Sequence, residues 1–221
     1  MRRDATVERI ISAVAPGTEF DETLLQSLLG ARPRAAEVVQ HVSSDDPQVV
    51  RTATLYLGLY GTLAECPVLA LCLHHADARV VELAERGLWS IWMQSGGREG
   101  NRHLANAVQS LARGDGATAV RILSLLVATE SNFAEAHFQL GLALSSLDRP
   151  DEAARAYRAA LRLNPYHFAA AAALGHACIE LGNLPAALRH YQQALRLHPR
   201  LPDLPQAVHE VETILARRAG H

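Results

Sequence analysis

The stretch AEAHFQLGLALSSLDRPDEAARAYRAALRLNPYH at residues 134–167 is followed at once by FAAAAALGHACIELGNLPAALRHYQQALRLHPRL at residues 168–201, and the two align without a gap. A fixed period of about 20–50 residues is the mark of a repeat architecture, in which each unit buries its apolar face against the next. A third, more divergent copy precedes them in the same register at residues 100–133. The identities that recur at this one constant spacing are Leu140-Gly141 with Leu174-Gly175, Ala153 with Ala187, Tyr157 with Tyr191, Ala160-Leu161 with Ala194-Leu195, and Pro165 with Pro199.

Each copy predicts two helices joined by a tight turn. Gly141 on the first helix allows the second helix to approach closely, Ala153 offers the matching small contact, and Tyr157 fills the space toward the next hairpin. Pro150 falls where the first turn of a helix tolerates proline, and Pro165 stops the second helix. The pattern therefore predicts three stacked helical hairpins.

These residues resemble the tetratricopeptide repeat family, whose unit of about 34 residues is a pair of antiparallel helices. The resemblance implies a solenoid with a concave inner face. A last stretch, residues 203–217, carries its apolar residues on one helical stripe and predicts a helix that caps the open end. We therefore predict an all-α, right-handed α-solenoid whose tetratricopeptide domain spans residues 96–221.

The first hundred residues also predict helices, on a looser pattern. Residues 46–53 and 77–84 align at an offset of 31, and each begins with an aspartate that precedes a valine pair. An acidic cap followed by apolar residues at helical spacing is typical of the start of a buried helix. These segments resemble the HEAT-repeat family, so we expect a HEAT-like segment over residues 1–95. The helices expected there lie at about 5–14, 21–30, 34–43, 47–60, 66–74 and 77–94, before a break at Ser95-Gly96-Gly97-Arg98-Glu99-Gly100.

The composition narrows the class of protein. Of 221 residues 49% are hydrophobic, and the net charge of −2 does not favour nucleic acid as a partner. The N-terminus lacks the continuous apolar segment of a signal peptide, and no run reaches the ~18–20 apolar residues of a membrane span. Three cysteines with no Cys-x-x-Cys pair favour a reducing compartment. We expect a cytoplasmic protein that contacts no membrane, and the absence of lysine indicates a GC-rich bacterial genome.

No arrangement of residues predicts catalysis or metal binding. The chain has no GxSxG, P-loop or HExxH motif, and no GxGxxG after a strand, so we predict no enzyme activity, no cofactor and no metal site. The cluster of Cys66, Cys72, His74 and His75 does not meet a zinc-ligand spacing and indicates buried thiols with surface imidazoles.

Three further groups of residues have structural interpretations. His103 and His137 stand one repeat apart, at a packing position of the unit. Trp89 and Trp92 lie three apart on one helix and predict core at the junction of the two parts. Asp151 precedes Arg155 by one helical turn, which favours an ion pair on a solvated outer face. The arginines that share this face are Arg121, Arg155, Arg162, Arg189 and Arg196.

The resemblance also implies a binding surface on the inner face of the first helices. Some family members hold the terminal carboxylate of a peptide there with Lys, Asn and Arg, but only Asn101 of this chain approaches that pattern. What remains is largely apolar, so we expect an adaptor that binds an apolar helical or extended segment of another protein or peptide. The predicted groove residues are Asn101, Leu104, Val108, Glu135, Phe138, Gln139, Leu142, His176 and Ile179.

Several alternatives stay open at the level of sequence. The groove is either open to a partner or covered by the N-terminal helices of the same chain. The protein is either an adaptor or a regulatory or accessory subunit of an enzyme complex. A third class is catalytic, because short HEAT-like repeats occur in chromophore lyases, although the tetratricopeptide half does not favour it.

Overall fold

The computed structural model describes residues 20–219, and within them it contains twelve α-helices, one 3₁₀ helix and no strand. The chain is an α-solenoid, as predicted. The helix expected at residues 5–14 lies outside the described residues. The helices are α1 (Glu22–Ala31), α2 (Ala35–Val38), the 3₁₀ helix (Val39–Ser43), α3 (Pro47–Tyr60), α4 (Cys66–Cys72), α5 (Ala78–Met93), α6 (Arg98–Ala112), α7 (Gly116–Thr129), α8 (Ala134–Ser145), α9 (Pro150–Leu163), α10 (Phe168–Glu180), α11 (Leu184–Leu197) and α12 (Leu204–Ala219).

The N-terminal part, α1 to α5, is organised around the crossing of α3 and α5. Asp46 and Asp77 cap these helices, accepting hydrogen bonds from the backbone N–H groups of Gln48 and Arg79 at 2.8 and 2.9 Å. A Cβ atom on Gly58 would lie 2.7 Å from the Cα atom of Gly87, so the two helices touch backbone to backbone. Fully or almost fully buried side chains around this crossing include Val50, Leu57, Leu69, Val80 and Leu88.

The helix expected at residues 34–43 is wrong as a single α-helix. After one α-helical turn, Ala35–Val38, the chain tightens into the 3₁₀ helix. Val38 and Val39 are both β-branched, which lowers helix propensity where the change occurs. The HEAT-like character of this part remains a prediction.

The second part consists of three helical hairpins, α6–α7, α8–α9 and α10–α11, closed by α12. Gly141 and Gly175 face the rings of Tyr157 and Tyr191, which would overlap with any Cβ atom at either glycine. Ala153 is fully buried in the same packing layer. The predicted close approach of the two helices at Gly141 is therefore confirmed, but the side chain nearest to Gly141 is the Tyr157 ring of the same hairpin, not the small Ala153.

The turns inside the hairpins repeat one backbone geometry. Gly114, Asp148 and Gly182, which occupy the same position in successive repeats, have φ angles of 78°, 54° and 71°. Glycine adopts this left-handed conformation without steric cost, and aspartate tolerates it better than most residues. The repeat in the sequence is thus a repeat of turn geometry as well as of packing.

The capping helix α12 covers the open end of the core. Its residues Leu204 and Val211 are buried against the third hairpin. The division into domains at residues 95 and 96 remains a prediction, and Phe168 of the third hairpin lies in the core of the N-terminal part.

Candidate functional site

The nine predicted groove residues fall into three classes of exposure. Leu104 and Glu135 have no exposed surface, and Phe138 and Gln139 are 4% and 8% exposed. These four side chains are core, and they present no free surface to a partner. The half-buried residues are Asn101, Val108 and Leu142, and the exposed ones are His176 and Ile179.

The inner face around Phe138 is closed by helix α5 of the N-terminal part. The ring of Trp89 lies 6.0 Å from that of Phe138, and Trp92 stacks on His167 with ring centroids 4.3 Å apart. Trp92 also lies 5.3 Å from the ring of Phe168. The two tryptophans therefore form the junction between the two parts, and here the groove is covered by the chain itself.

A polar network lies beneath these rings. The backbone N–H of Ala170 donates to His167 Nδ1 at 3.2 Å, so the hydrogen of the neutral imidazole is on Nε2. That nitrogen donates to Glu135 Oε2 at 3.1 Å, and Gln139 Nε2 donates to Glu135 Oε1 at 2.8 Å. Both carboxylate oxygens have a donor, which a fully buried carboxylate requires. Glu135 thus has a structural environment rather than that of a binding residue.

A second junction holds the end of the third repeat to the N-terminal part. His198 Nε2 lies 3.3 Å from Glu85 Oε2, and this hydrogen bond is the main reason that the pKa of Glu85 is lowered. Arg200 Nη2 donates to the carbonyl oxygens of His75 and Ala76 at 2.9 and 3.2 Å. The connection between α11 and α12 is therefore tied to the N-terminal part at α5 and at the loop that precedes it.

Asn101 also has a structural environment. Its Oδ1 accepts a hydrogen bond from the backbone N–H of Gly96, and its Nδ2 donates to the carbonyl oxygen of Gln94, both at 3.0 Å. The side chain thereby fixes the connection between α5 and α6. Leu104 on the same helix packs in the core of the first hairpin with Ala107 and Leu123.

The inner face remains open at the end of α10. Ile179 is 36% exposed, and His176 and Glu180 are exposed beside it. Tyr191 Oη and His176 Nδ1 form a hydrogen bond of 2.8 Å, and on the neighbouring hairpin Ser145 Oγ and Tyr157 Oη lie 3.1 Å apart. We call Leu142, His176, Ile179 and Glu180 the open groove.

Burial and charge shift several pKa values at the open groove. The surrounding protein partly desolvates the His176 ring and lowers its pKa although part of the side chain is exposed, and the charge of Glu180 offsets only part of that shift. Burial raises the pKa of Tyr157 and raises that of Tyr191 to about 12, and the charge of Glu180 adds to both shifts. The two phenols are therefore protonated hydrogen-bonding groups, and Glu180 is close enough to act on both.

Other residues singled out in the sequence have ordinary environments. Cys66, Cys72 and Cys178 are buried, and the described residues hold no group of three or more side chains that could bind a metal ion. His137 Nε2 lies 3.1 Å from the carbonyl oxygen of Ser131. Among residues 20–219 no helix is long and apolar enough to cross a membrane.

The predicted partner of Arg155 is wrong. Arg155 lies 4.0 Å from Glu152, not in an ion pair with Asp151, and Glu152 also binds Arg149 at 2.7 Å. The i,i+3 spacing brings Glu152 to Arg155, and the bidentate contact with Arg149 fixes the carboxylate there. The Arg155 side chain is 67% exposed, which is consistent with a solvated face.

The sequence placed Glu180 at an inner position but did not count it among the predicted groove residues, and it gave no role to His167. The sequence offered one signal for Glu180. It is an acid at an inner position, and histidine is the only basic residue at the inner positions of the three repeats. His167 had none, because its partners Trp92 and Glu135 come from distant parts of the chain. The inner positions are Asn101, Leu104, Ala105, Val108, Leu111 and Ala112, then Glu135, Phe138, Gln139, Leu142, Ser145 and Ser146, then Ala169, Ala172, Ala173, His176, Ile179 and Glu180.

Comparison with known proteins identifies the repeats. A family model described as tetratricopeptide repeat matches residues 134–167 and 168–201, the second and third predicted copies. Residues 134–201 therefore match two tetratricopeptide repeats. A search of curated protein sequences finds no match.

Solved structures of tetratricopeptide domains resemble just over half of the chain in fold. The first tetratricopeptide domain of Spaghetti (RPAP3), bound to the HSP90 peptide SRMEEVD, is 16% identical with a TM-score of 0.53, covering 55% of this chain and 96% of its own. The first such domain of human RPAP3 is 16% identical with a TM-score of 0.52, covering 55% and 95%. The Sgt2 domain from Aspergillus fumigatus is 12% identical with a TM-score of 0.53, covering 57% and 84%.

Proposed function

We propose that this protein is a protein-interaction adaptor that binds an apolar helical or extended segment of another protein in the open groove. The observation that carries the proposal is the exposure of Ile179 beside His176 and Glu180, at inner positions of a repeat whose other inner positions are half-buried. The open groove also contains the half-buried Leu142. A short partner segment fits such a surface.

The energetics favour an apolar contact on a prepared surface. Ile179 is 36% exposed, so covering the rest of its side chain contributes about a third of the value for a fully exposed isoleucine, roughly 0.5–1 kcal/mol. Hydrogen bonds already fix His176 and Tyr191 in place, so little side-chain freedom remains to be lost on binding. The groove is smaller than the full inner face of three repeats, because α5 occupies the part around Phe138.

The comparison with RPAP3 supports a general role in binding proteins or peptides. It also indicates that the ligand of this protein differs from the acidic peptide bound by RPAP3. The RPAP3 domain was solved with SRMEEVD, a peptide with three acidic residues. The inner positions of this chain carry no arginine or lysine that could pair with such a peptide. We therefore propose a segment that is not acidic.

Affinity capture with a matched pair of variants tests the proposal. We expect Ile179→Gln to weaken retention of the natural partner severalfold, because the apolar contact is lost and a polar side chain is covered in its place. Leu125→Gln is the control, since Leu125 is 61% exposed on α7, the second helix of the first hairpin. The eluates of wild type and both variants are compared by quantitative mass spectrometry, with circular dichroism to verify folding. Partner loss from both variants, or from neither, would contradict a site at the open groove.

A further inference from the structure

We propose that the segment bound in the open groove carries a lysine or arginine that pairs with Glu180. This inference rests on the proposed function, and it specifies the chemistry of the partner. Its basis is the charge of the open groove and the surroundings of Glu180.

Glu180 is an exposed carboxylate without an ion-pair partner among residues 20–219. It is the last residue of α10, where a negative charge opposes the helix macrodipole. An acid at this position therefore does not stabilise the helix that it ends. Glu152 illustrates the contrast, because it lies at the start of α9 and has two arginine contacts.

The neighbours of Glu180 do not neutralise its charge. Glu180 raises the pKa of both Tyr157 and Tyr191, and Arg158 and Arg189, the arginines that act on nearby Cys178, form no ion pair with Glu180. His176 is a nearby imidazole whose Nδ1 is already hydrogen-bonded to Tyr191 Oη at 2.8 Å, and partial desolvation lowers its pKa below the ordinary value. In the second and third hairpins the arginines lie on the second helices or at their ends, where Arg155 is 67% exposed. The open groove therefore combines the negative charge of Glu180 with the apolar side chains of Leu142 and Ile179.

The complementary ligand follows from these two features. An apolar side chain covers Ile179 and Leu142, and a cationic side chain one or two residues away reaches the Glu180 carboxylate. Such charge complementarity determines partner choice more than total affinity. Exposed ion pairs are weak, so we expect the basic residue to tighten binding by about fivefold.

Synthetic peptide pools test this pairing directly. Three pools of 13-residue peptides have Arg, Gln or Glu at the centre, and their other positions vary among Ala, Leu, Ile, Ser and Gln. Fluorescence polarisation measures the apparent Kd of each pool. We expect the wild-type protein to bind the Arg pool about fivefold more tightly than the Gln pool, with the Glu pool weakest.

Variants assign the preference to Glu180. Glu180→Gln should remove the difference between the Arg and Gln pools, and Glu180→Arg should make the Glu pool the tightest. The control is Glu212→Gln, which changes an exposed carboxylate on α12 and should keep the wild-type order. A preference for the Arg pool that persists in Glu180→Gln would overturn the inference.

The outcomes also separate this inference from the proposed function. Equal binding of all three pools to wild type, still weakened by Ile179→Gln, would contradict the basic preference and leave the adaptor role in place. Failure of every pool to bind would contradict both. An order with the Glu pool tightest on wild type would also overturn the inference.

Discussion

Glu135 is a charged residue with no exposed surface, on the helix that the repeat pattern assigns to the inner face. Its position in the repeat predicts a groove residue, because inner positions are exposed in an uncovered solenoid. The structure buries it through contacts with His167 and Gln139, beneath Trp92. The hairpin pattern is local and can be read from sequence, whereas the burial depends on α5, a helix of the N-terminal part that lies outside the repeats.

The buried network predicts a large loss of stability for Glu135→Ala. The substitution removes the acceptor for two buried donors, so we expect the free energy of unfolding to fall by roughly 2–4 kcal/mol. Urea denaturation followed by circular dichroism measures the change. Glu212→Ala, an exposed acid on α12, is the control and should change stability by less than about 0.5 kcal/mol. A loss for Glu135→Ala as small as that of the control would show that the network is not formed.

At the scale of elements, the hairpins were predictable because their determinants repeat. Gly141, Tyr157 and Pro165 each recur at the same position of the next repeat, and the helices α8 to α11 start and stop accordingly. The irregular α2 and 3₁₀ segment was not predictable, because it has no second copy against which to read its pattern. Periodicity therefore identified the elements that occur more than once.

Two glycine-to-alanine substitutions should have opposite effects on stability. In a helix interior alanine is favoured over glycine by about 1 kcal/mol, which predicts that both changes stabilise. At Gly141, however, the new Cβ would overlap with the ring of Tyr157, and we expect a net loss of about 1–3 kcal/mol. At Gly30 on α1 nothing lies within 4 Å of the added atom, so a gain of up to about 1 kcal/mol is expected. Urea denaturation of both variants measures the two changes in the free energy of unfolding. An increase for Gly141→Ala would mean that the hairpin packs more loosely than the structure shows.

At the scale of the whole molecule, the decisive feature is the docking of the N-terminal part on the repeats. The Glu85–His198 contact joins residues that are 113 positions apart in the sequence, and no local sequence pattern predicts it. The tryptophan pair was the one available signal, since two large aromatic residues on one helix need a partner surface. Sequence thus predicted the solenoid and the junction residues, but it could not choose between an open and a covered groove.

The central claim is that this docking divides the inner face into a closed part near Phe138 and an open groove at Ile179. Thiol labelling measures both parts in one protein background, because Cys66, Cys72 and Cys178 are buried and burial raises the pKa of each thiol. The variants Ile179→Cys and Gln139→Cys are treated with a maleimide under native conditions, and labelling rates are followed by mass spectrometry. We predict that Ile179→Cys reacts as an accessible thiol, whereas Gln139→Cys reacts roughly a hundredfold or more slowly, through transient opening. Equal rates at the two positions would contradict the division of the inner face.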